Sequence, residues 1–148
     1  MTTAELQNAA TISAKRMEGR RAFVTGGGSG IGKATAIRLA AEGASVAIAD
    51  IRGDSAAAVA ADIEAGGGTA IGVETDIASE ASIEAGVSEA VRAFGGLDAV
   101  FANAGTAGSG WLHETTLDDW ETVIRVNLTG TFLTAKHTMP HLLANGGG

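Results

Sequence analysis

Short apolar runs alternate with helix-like segments along most of the chain. Four runs are almost continuously apolar and give way to glycine or polar residues, as buried strands do. They cover residues 22–25, 45–49, 69–74 and 97–102. We therefore expect four strands of a sheet that is covered on both faces.

The segments between these runs have the spacing of helices. The third segment is the clearest, because its apolar residues fall at i, i+4, i+7, i+8 and i+11 and so share one face: Ile83, Val87, Ala90, Val91 and Phe94. Glycines follow each segment, as is common at helix C-termini. The predicted helices extend over about residues 31–42, 54–65 and 83–94.

A longer helix is predicted from Thr116 onward. Residues 116–119 read T-L-D-D, and an acidic residue three positions after a threonine is typical of a capping box. Apolar residues at Trp120, Leu128 and Leu133 continue the helix. Pro140 is expected to bend or end it, because proline lacks the N–H that a helix interior needs.

This order of elements predicts an α/β fold. Strands that alternate with helices form a doubly wound parallel sheet. Residues 1–18 are polar and alanine-rich without a sustained period, which we interpret as an N-terminal extension. Residues 19–148 then form one domain, and its functional residues should lie just after strands.

Composition narrows the classes of function. The chain has 148 residues, and 10 Lys and Arg against 17 Asp and Glu give a net charge of −7, which argues against a nucleic-acid partner. No apolar run approaches the roughly 18 residues of a membrane span, and the N-terminus has no secretory pattern. We expect no membrane partner and a cytoplasmic protein. The absence of cysteine excludes thiolate chemistry within these residues.

A glycine-rich segment connects the first predicted strand to its helix. Residues 25–32 read T-G-G-G-S-G-I-G. Glycine lets the backbone approach a pyrophosphate, and the helix N-terminus behind it offers free N–H donors. The spacing is T-G-x-x-x-G-x-G and not the usual G-x-G-x-x-G. A merely flexible turn is the alternative, but the position after the first strand favours a phosphate site.

Asp50 ends the second predicted strand, 18 residues after Gly32. A carboxylate at this place can accept hydrogen bonds from both hydroxyls of an adenosine ribose and would repel a 2′-phosphate. Arg52 lies close to it, but the glycine segment before Lys33 carries no basic residue. We therefore favour NAD over NADP. The alternative is that Asp50 starts a turn or caps the next helix.

Several separated motifs together resemble those of the classical short-chain dehydrogenase/reductase family, from about Gly19 to the C-terminus. They are the glycine segment, Asp50, the pair 76–77 after strand three, the sequence A-N-A-G at 102–105, and Asn127 in the long helix. The resemblance implies an NAD-binding Rossmann domain at 19–148. Ala102 stands where the family often has asparagine.

The resemblance also implies roles for individual residues. The pyrophosphate and the neighbouring ribose would be lined by Gly26, Ser29, Gly30, Ile31 and Gly32. The adenosine ribose would be lined by Asp50 and Ile51, and the adenine by Asp76 and Ile77. Near the middle of the cofactor would lie Asn103, Ala104 and Gly105. Asn127 would be the catalytic residue of this part, bending the long helix and holding a water of a proton relay.

The family's proton donor has no counterpart in this chain. In the family a serine and a Tyr-x-x-x-Lys pair follow the next strand, whereas these 148 residues contain no tyrosine. We therefore expect the domain to be incomplete, without its C-terminal catalytic segment, and the chain to be inactive alone. His137 and His141 have the i, i+4 spacing of a metal pair, but Pro140 intervenes and no third ligand is evident, so we expect no metal site.

The favoured hypothesis is an NAD-dependent oxidoreductase that transfers hydride between nicotinamide and a small-molecule alcohol or ketone. Two alternatives stay open: a non-catalytic nucleotide-binding or oligomer-modulating protein, and an S-adenosylmethionine-dependent methyltransferase. Family members commonly pair through the helix that carries Asn127. The resemblance therefore also implies a homo-oligomer, a dimer or tetramer, for the full-length form.

Overall fold

The computed structural model describes residues 15–108 and 110–146. Its strands are β1 (Arg21–Thr25), β2 (Ser45–Asp50), β3 (Thr69–Glu74) and β4 (Ala99–Ala102). Its α-helices are α1 (Gly30–Ala41), α2 (Gly53–Ala65), α3 (Glu80–Phe94), α4 (Leu117–Ile124) and α5 (Gly130–Ala144). A short 3₁₀ turn, Leu112–Glu114, precedes α4, and a π-helical turn, Arg125–Thr129, joins α4 to α5. Most of the predicted N-terminal extension lies outside the described residues.

The four strands form one parallel sheet in the order β3-β2-β1-β4. From β1 the chain first builds outward through β2 and β3, and then crosses to the other side of β1 to add β4. The strand order therefore reverses between β1 and β4, and a crevice forms at their carboxyl ends. The predicted doubly wound α/β fold is confirmed.

Two apolar clusters cover the two faces of the sheet. On one face, Val24 and Ile48 pack with α1 and α2. On the other face, Phe23 and Leu97 pack with α3 and α5. The predicted apolar face of the third helix is confirmed, because Ile83, Val87 and Ala90 are all buried there. Alternating side chains of each strand thus supply both layers of the core.

Strand β4 is shorter than predicted. The sequence predicts a strand from Leu97, whereas the strand begins at Ala99. Leu97 is fully buried, and its carbonyl accepts a hydrogen bond from Asn145 Nδ2 at 2.8 Å. Asp98 accepts hydrogen bonds from the Arg21 guanidinium at 2.6 and 2.9 Å, which lower the pKa of its carboxyl. These hydrogen bonds fix residues 97 and 98, which directly precede the first paired residue of β4.

The long helix starts as predicted and does not end at Pro140. Thr116 accepts a hydrogen bond from the Asp119 N–H at 3.1 Å, which confirms the predicted cap. The helical rise continues through the π-helical turn and past Pro140 to Ala144. Pro140 deprives the carbonyl of Lys136 of its N–H partner, and both residues are exposed, so water can satisfy that carbonyl. None of the helices in the described ranges has the length and hydropathy needed to cross a bilayer.

Residues just before β1 pack on the domain. The Met17 N–H donates to the Glu42 carbonyl at 3.0 Å, and the Met17 side chain packs against the first core. Arg16 donates two hydrogen bonds to the Glu42 carboxylate, at 2.8 and 2.6 Å, and Arg38 donates a third at 2.5 Å. These hydrogen bonds lower the pKa of Glu42 to about 2. Glu42 therefore ties Arg16 to the end of α1 through its buried carboxylate and Met17 through its main-chain carbonyl.

We predict that Glu42→Gln destabilises the chain at neutral pH and removes part of its acid sensitivity. The Glu42 pKa falls from 4.5 to about 2 on folding, so its contribution is complete above about pH 4.5 and is lost as pH falls towards 2. Urea unfolding at a series of pH values measures this. The wild-type and Glu42→Gln curves should converge near pH 2, whereas the control Glu64→Gln, an exposed position, should follow the wild type. Parallel curves at every pH would contradict this role of Glu42.

Candidate functional site

The carboxyl ends of β1, β2 and β4 bring three predicted motifs together. The glycine segment follows β1, Asp50 ends β2, and the sequence at 103–105 follows β4. All three lie at the edge where the strand order reverses, which is where α/β sheets bind ligands. The motifs are far apart in the sequence and are adjacent in the fold.

The glycine segment is packed so closely at Gly26 and Gly32 that neither position has room for a side chain. A Cβ at Gly32 would overlap the Gly26 carbonyl oxygen and would lie 2.7 Å from Asn103 Nδ2. Gly26 has a φ of +64°, and a Cβ there would lie 2.9 Å from the Ala104 Cα. The first turn of α1 can therefore reach the end of β4 only because both positions are glycine.

Asp50 holds the glycine segment from the neighbouring strand. Its Oδ2 accepts a hydrogen bond from the Gly28 N–H at 2.9 Å, and its Oδ1 accepts one from the Arg52 N–H at 3.0 Å. The carboxylate is 8% exposed, with Arg52 Nε 3.9 Å away. Each carboxylate oxygen keeps a second lone pair, so the group can still accept hydrogen bonds from a ribose. The predicted turn at Asp50 and a ribose contact are therefore compatible.

Asn103 supports the same segment from the other side. Its Nδ2 donates to the carbonyls of Thr25 and Gly26 at 3.1 and 3.4 Å. The N–H groups of Asn103 and Ala104 both donate to the buried Thr25 hydroxyl at 3.1 Å. Thr25 was not among the predicted site residues, although it is the first residue of the motif. Its position at the end of a buried strand was the signal that could have identified it.

The N-terminus of α1 supplies N–H donors that lie before its first intrahelical hydrogen bond. Ser29 is the N-cap residue, and its hydroxyl makes no capping hydrogen bond. The first intrahelical bond runs from the Lys33 N–H to the Ser29 carbonyl, so the N–H groups of Gly30, Ile31 and Gly32 precede the helical ladder. The first turn carries no acidic residue. This set of donors suits an anion.

Two large apolar side chains lie exposed beside these donors. Ile31, in the first turn of α1, is 74% exposed, and Ile51, directly after Asp50, is 65% exposed. Both were predicted to contact the cofactor. An exposed apolar side chain next to polar donors is the combination found in small-molecule sites.

The two residues predicted for the adenine site differ in accessibility. Asp76 Oδ1 accepts a hydrogen bond from the Ala78 N–H at 2.9 Å, and its own N–H donates to Ser82 Oγ at 3.0 Å. The Ile77 side chain is buried in the second core. It lies so close to Gly130 of α5 that a Cβ there would be 2.8 Å from Ile77 Cδ1. A ligand could therefore meet the main chain of Ile77 but not its buried side chain.

Asn127 lies in the π-helical turn and binds the loop after β4. Its Oδ1 accepts a hydrogen bond from the Thr106 N–H, and its Nδ2 donates to the Thr106 carbonyl, both at 2.8 Å. A Cβ at Gly105 would lie 3.1 Å from the same Oδ1. The Asn127 carbonyl accepts the Thr131 hydroxyl at 2.7 Å. The amide side chain is therefore engaged in positioning the loop, a contact that the sequence did not reveal.

His137, one member of the predicted histidine pair, lies against an acidic side chain. His137 Nε2 lies 3.1 Å from Glu80 Oε1, which also accepts a hydrogen bond from Lys136 Nζ at 2.6 Å. These contacts lower the pKa of the Glu80 carboxyl, and the hydrogen bond from Lys136 has the larger effect. Throughout residues 15–108 and 110–146, no three potential ligands are grouped so that they could hold a metal ion.

These features favour a dinucleotide site over the alternative of a merely flexible turn. The glycine segment is held rigid by Asp50 and Asn103, the helix N-terminus offers N–H donors to a phosphate, and a carboxylate lies one strand away. Fold and site together define a Rossmann domain. The family described as short chain dehydrogenase matches residues 20–148, and the chain belongs to that family. Membership of this dehydrogenase family argues against the methyltransferase alternative.

Comparisons with individual proteins agree with this assignment. The 2,5-dichloro-2,5-cyclohexadiene-1,4-diol dehydrogenase LinX of Sphingobium indicum is 39% identical over 135 residues, which cover 91% of this chain and 54% of that protein. An uncharacterized NAD-dependent oxidoreductase of Mycobacterium tuberculosis is 39% identical, covering 89% of this chain and 53% of that protein. The crystal structure of a short chain dehydrogenase/reductase from Burkholderia phymatum in complex with NAD has a TM-score of 0.83 and 33% identity, covering 87% and 46% of the two chains. The chain thus spans about half the length of these relatives.

We predict that Gly32→Ala destabilises the domain by about 1–3 kcal/mol, because the added methyl group meets the Gly26 carbonyl and the Asn103 amide. Urea unfolding measures the loss. Gly66→Ala is the matched control, since the nearest atom to its Cβ lies at 3.4 Å and its φ is −81°. Its stability should stay within about 0.5 kcal/mol of the wild type. Equal stability of the two variants would contradict the close packing described at Gly32.

Proposed function

We propose that the chain is the cofactor-binding part of an NAD-dependent oxidoreductase that transfers hydride between nicotinamide and a small-molecule alcohol or ketone. The observation that carries the proposal is the rigid glycine segment, joined to Asp50 through the Gly28 N–H at 2.9 Å. The names of relatives support it, since one is called NAD-dependent and another was solved in complex with NAD. When bound, the dinucleotide itself supplies the hydride chemistry.

In this proposal the chain's own residues bind and orient the cofactor. The N–H groups of Gly30, Ile31 and Gly32, together with the Ser29 hydroxyl, hold the pyrophosphate and neighbouring ribose. Asp50 holds the adenosine ribose, with Ile51 beside it. Asp76 and the main chain of Ile77 line the adenine. Gly26 and the segment from Asn103 through Ala104 to Gly105 lie along the middle of the cofactor.

Asn127 acts in this proposal through the loop that follows β4 and through its own main chain. Its amide fixes Thr106 by two hydrogen bonds of 2.8 Å and so sets the course of residues 105 and 106. Because the amide is engaged in this way, a water of a proton relay would bind at the Asn127 carbonyl. That oxygen also accepts a hydrogen bond from the Thr131 hydroxyl at 2.7 Å.

The chain has no tyrosine to serve as a proton donor, and we propose that it binds the cofactor without turning over an alcohol. The same property leaves open a non-catalytic nucleotide-binding or oligomer-modulating role. An assay of the purified chain with NAD and a panel of secondary alcohols distinguishes catalysis from binding. NADH formation above background would refute both the inactivity of the isolated chain and the non-catalytic role.

We predict that the chain binds NADH more tightly than NADPH and that Asp50→Ala narrows the difference. Losing the carboxylate removes hydrogen bonds to a charged acceptor, which corresponds to at least about tenfold in NADH affinity. Isothermal titration with both dinucleotides measures this, and Asp118→Ala on the exposed face of α4 serves as control. A wild-type preference for NADPH would show that the role assigned to Asp50 is wrong.

We also propose that the chain associates with copies of itself. Helix α5 buries Leu133 on one side and, with the turn before it, exposes Leu128, Phe132 and Leu143 at 65%, 61% and 67%. Exposed apolar side chains that share one face commonly mark an interface.

We predict that light scattering gives the wild-type chain a mass above the 14.7 kDa of one copy. The double substitution Leu128→Glu and Phe132→Glu should shift it towards one copy, because it places charge in the apolar face. Leu112→Glu, at an exposed leucine outside this face, should leave the mass unchanged. A monodisperse wild-type monomer would contradict self-association.

A further inference from the structure

Asp50 has a second carboxylate beside it in the sheet. The parallel register pairs Asp50 of β2 with Glu74 of β3, and both residues are the last of their strands. Side chains of paired residues leave a sheet on the same face. For this pair it is the face that α1 and α2 cover, since Ile48 and Ala70, two and four residues earlier, pack there. Both carboxylates therefore lie at one corner of the candidate site.

Contacts at the start of α2 show where the Glu74 carboxylate lies. A Cβ added to Gly53, the first residue of α2, would be 2.7 Å from Glu74 Oε2. Gly53 directly follows Arg52, whose N–H donates to Asp50. Glu74 is exposed, so its charge faces solvent at this corner. Asp54, in the first turn of α2, adds a third carboxylate.

The basic residues of α1 and of the β2 to α2 connection all lie against carboxylates. Arg52 Nε is 3.9 Å from Asp50, Lys33 Nζ is 3.2 Å from Asp62, and Arg38 Nε is 2.5 Å from Glu42. The corner around Asp50 thus combines a surplus of negative charge with cations that are already paired. This arrangement is unfavourable for an additional anionic group on a ligand.

Resting on the proposed function, we propose that Glu74 is a second specificity-determining residue, which together with Asp50 disfavours dinucleotides that carry a 2′-phosphate. NADP differs from NAD in this phosphate, which has nearly two negative charges at neutral pH. Asp50 discriminates through hydrogen bonds to the ribose hydroxyls and through charge. Glu74, one strand further out, acts through its charge alone, so its removal changes the binding of the phosphorylated dinucleotide selectively.

Isothermal titration of the 148-residue chain with NADH and with NADPH at low salt tests this role. Glu74→Gln keeps the size of the side chain and removes its charge, and we expect the Kd for NADPH to fall about threefold relative to the Kd for NADH. Glu74→Asp keeps the charge and should keep the wild-type ratio. Glu84→Gln, an exposed carboxylate on α3 across the sheet, is the matched control and should also keep it.

Salt dependence gives a second readout that a merely structural role would not produce. Raising the salt concentration to about 0.5 M screens exposed charges and should remove the difference between Glu74→Gln and the wild type. Glu74→Thr, which suits a strand, repeats the test if the glutamine variant does not fold. Equal Kd ratios in Glu74→Gln, Glu84→Gln and the wild type at low salt would overturn this inference alone. Binding of neither dinucleotide by the wild type would overturn the proposed function and this inference with it.

Discussion

The candidate site depends on a glycine segment whose conformation is fixed by contacts with the residues around it. Residues 26–28 are three consecutive glycines, which have the least conformational restriction of any residue. Two polar side chains from neighbouring strands restrict them: Asp50 binds the Gly28 N–H, and Asn103 binds the carbonyls of Thr25 and Gly26. The buried Thr25 hydroxyl then fixes the end of β4. The segment is therefore held in place by Asp50 at the end of β2 and by Asn103 directly after β4. This allows α1 to begin close to the end of β1.

In the proposed function, the charges around the segment also determine what it binds. Asp50 brings negative charge to one end of the site, and its pairing with Glu74 extends that charge onto β3. At the other end, the first turn of α1 presents N–H donors without a carboxylate among them. A ligand that is anionic in its middle and neutral and polar at one end matches this polarity. In the proposed function, Asp50 thus both supports the backbone of the segment and selects among ligands.

Much of this arrangement could be predicted from the sequence because it is encoded locally. Apolar runs and glycines placed the strands and helix ends to within about three residues, and the four residues 116–119 were enough to predict the Thr116 cap. Contacts between distant residues were not accessible in this way. Thr25 and Asn103 are separated by 78 positions, and the hold of Asn127 on Thr106 needs the fold to bring a helix and a loop together. Of the two outcomes expected at Pro140, a bend or an end, the end was wrong, because exposure, which lets water satisfy a carbonyl, is a property of the fold.

The most direct test of the central claim is an amide NMR map of the chain with and without NADH. If the glycine segment, supported by Asp50 and Asn103, is the binding surface, NADH should shift the signals of residues 28–32, 50–52 and 103–105. The signals of Met17 and Glu42, at the opposite end of the sheet, should not move. Shifts confined to α4 and α5, or no shifts at saturating NADH, would contradict the assignment of the site.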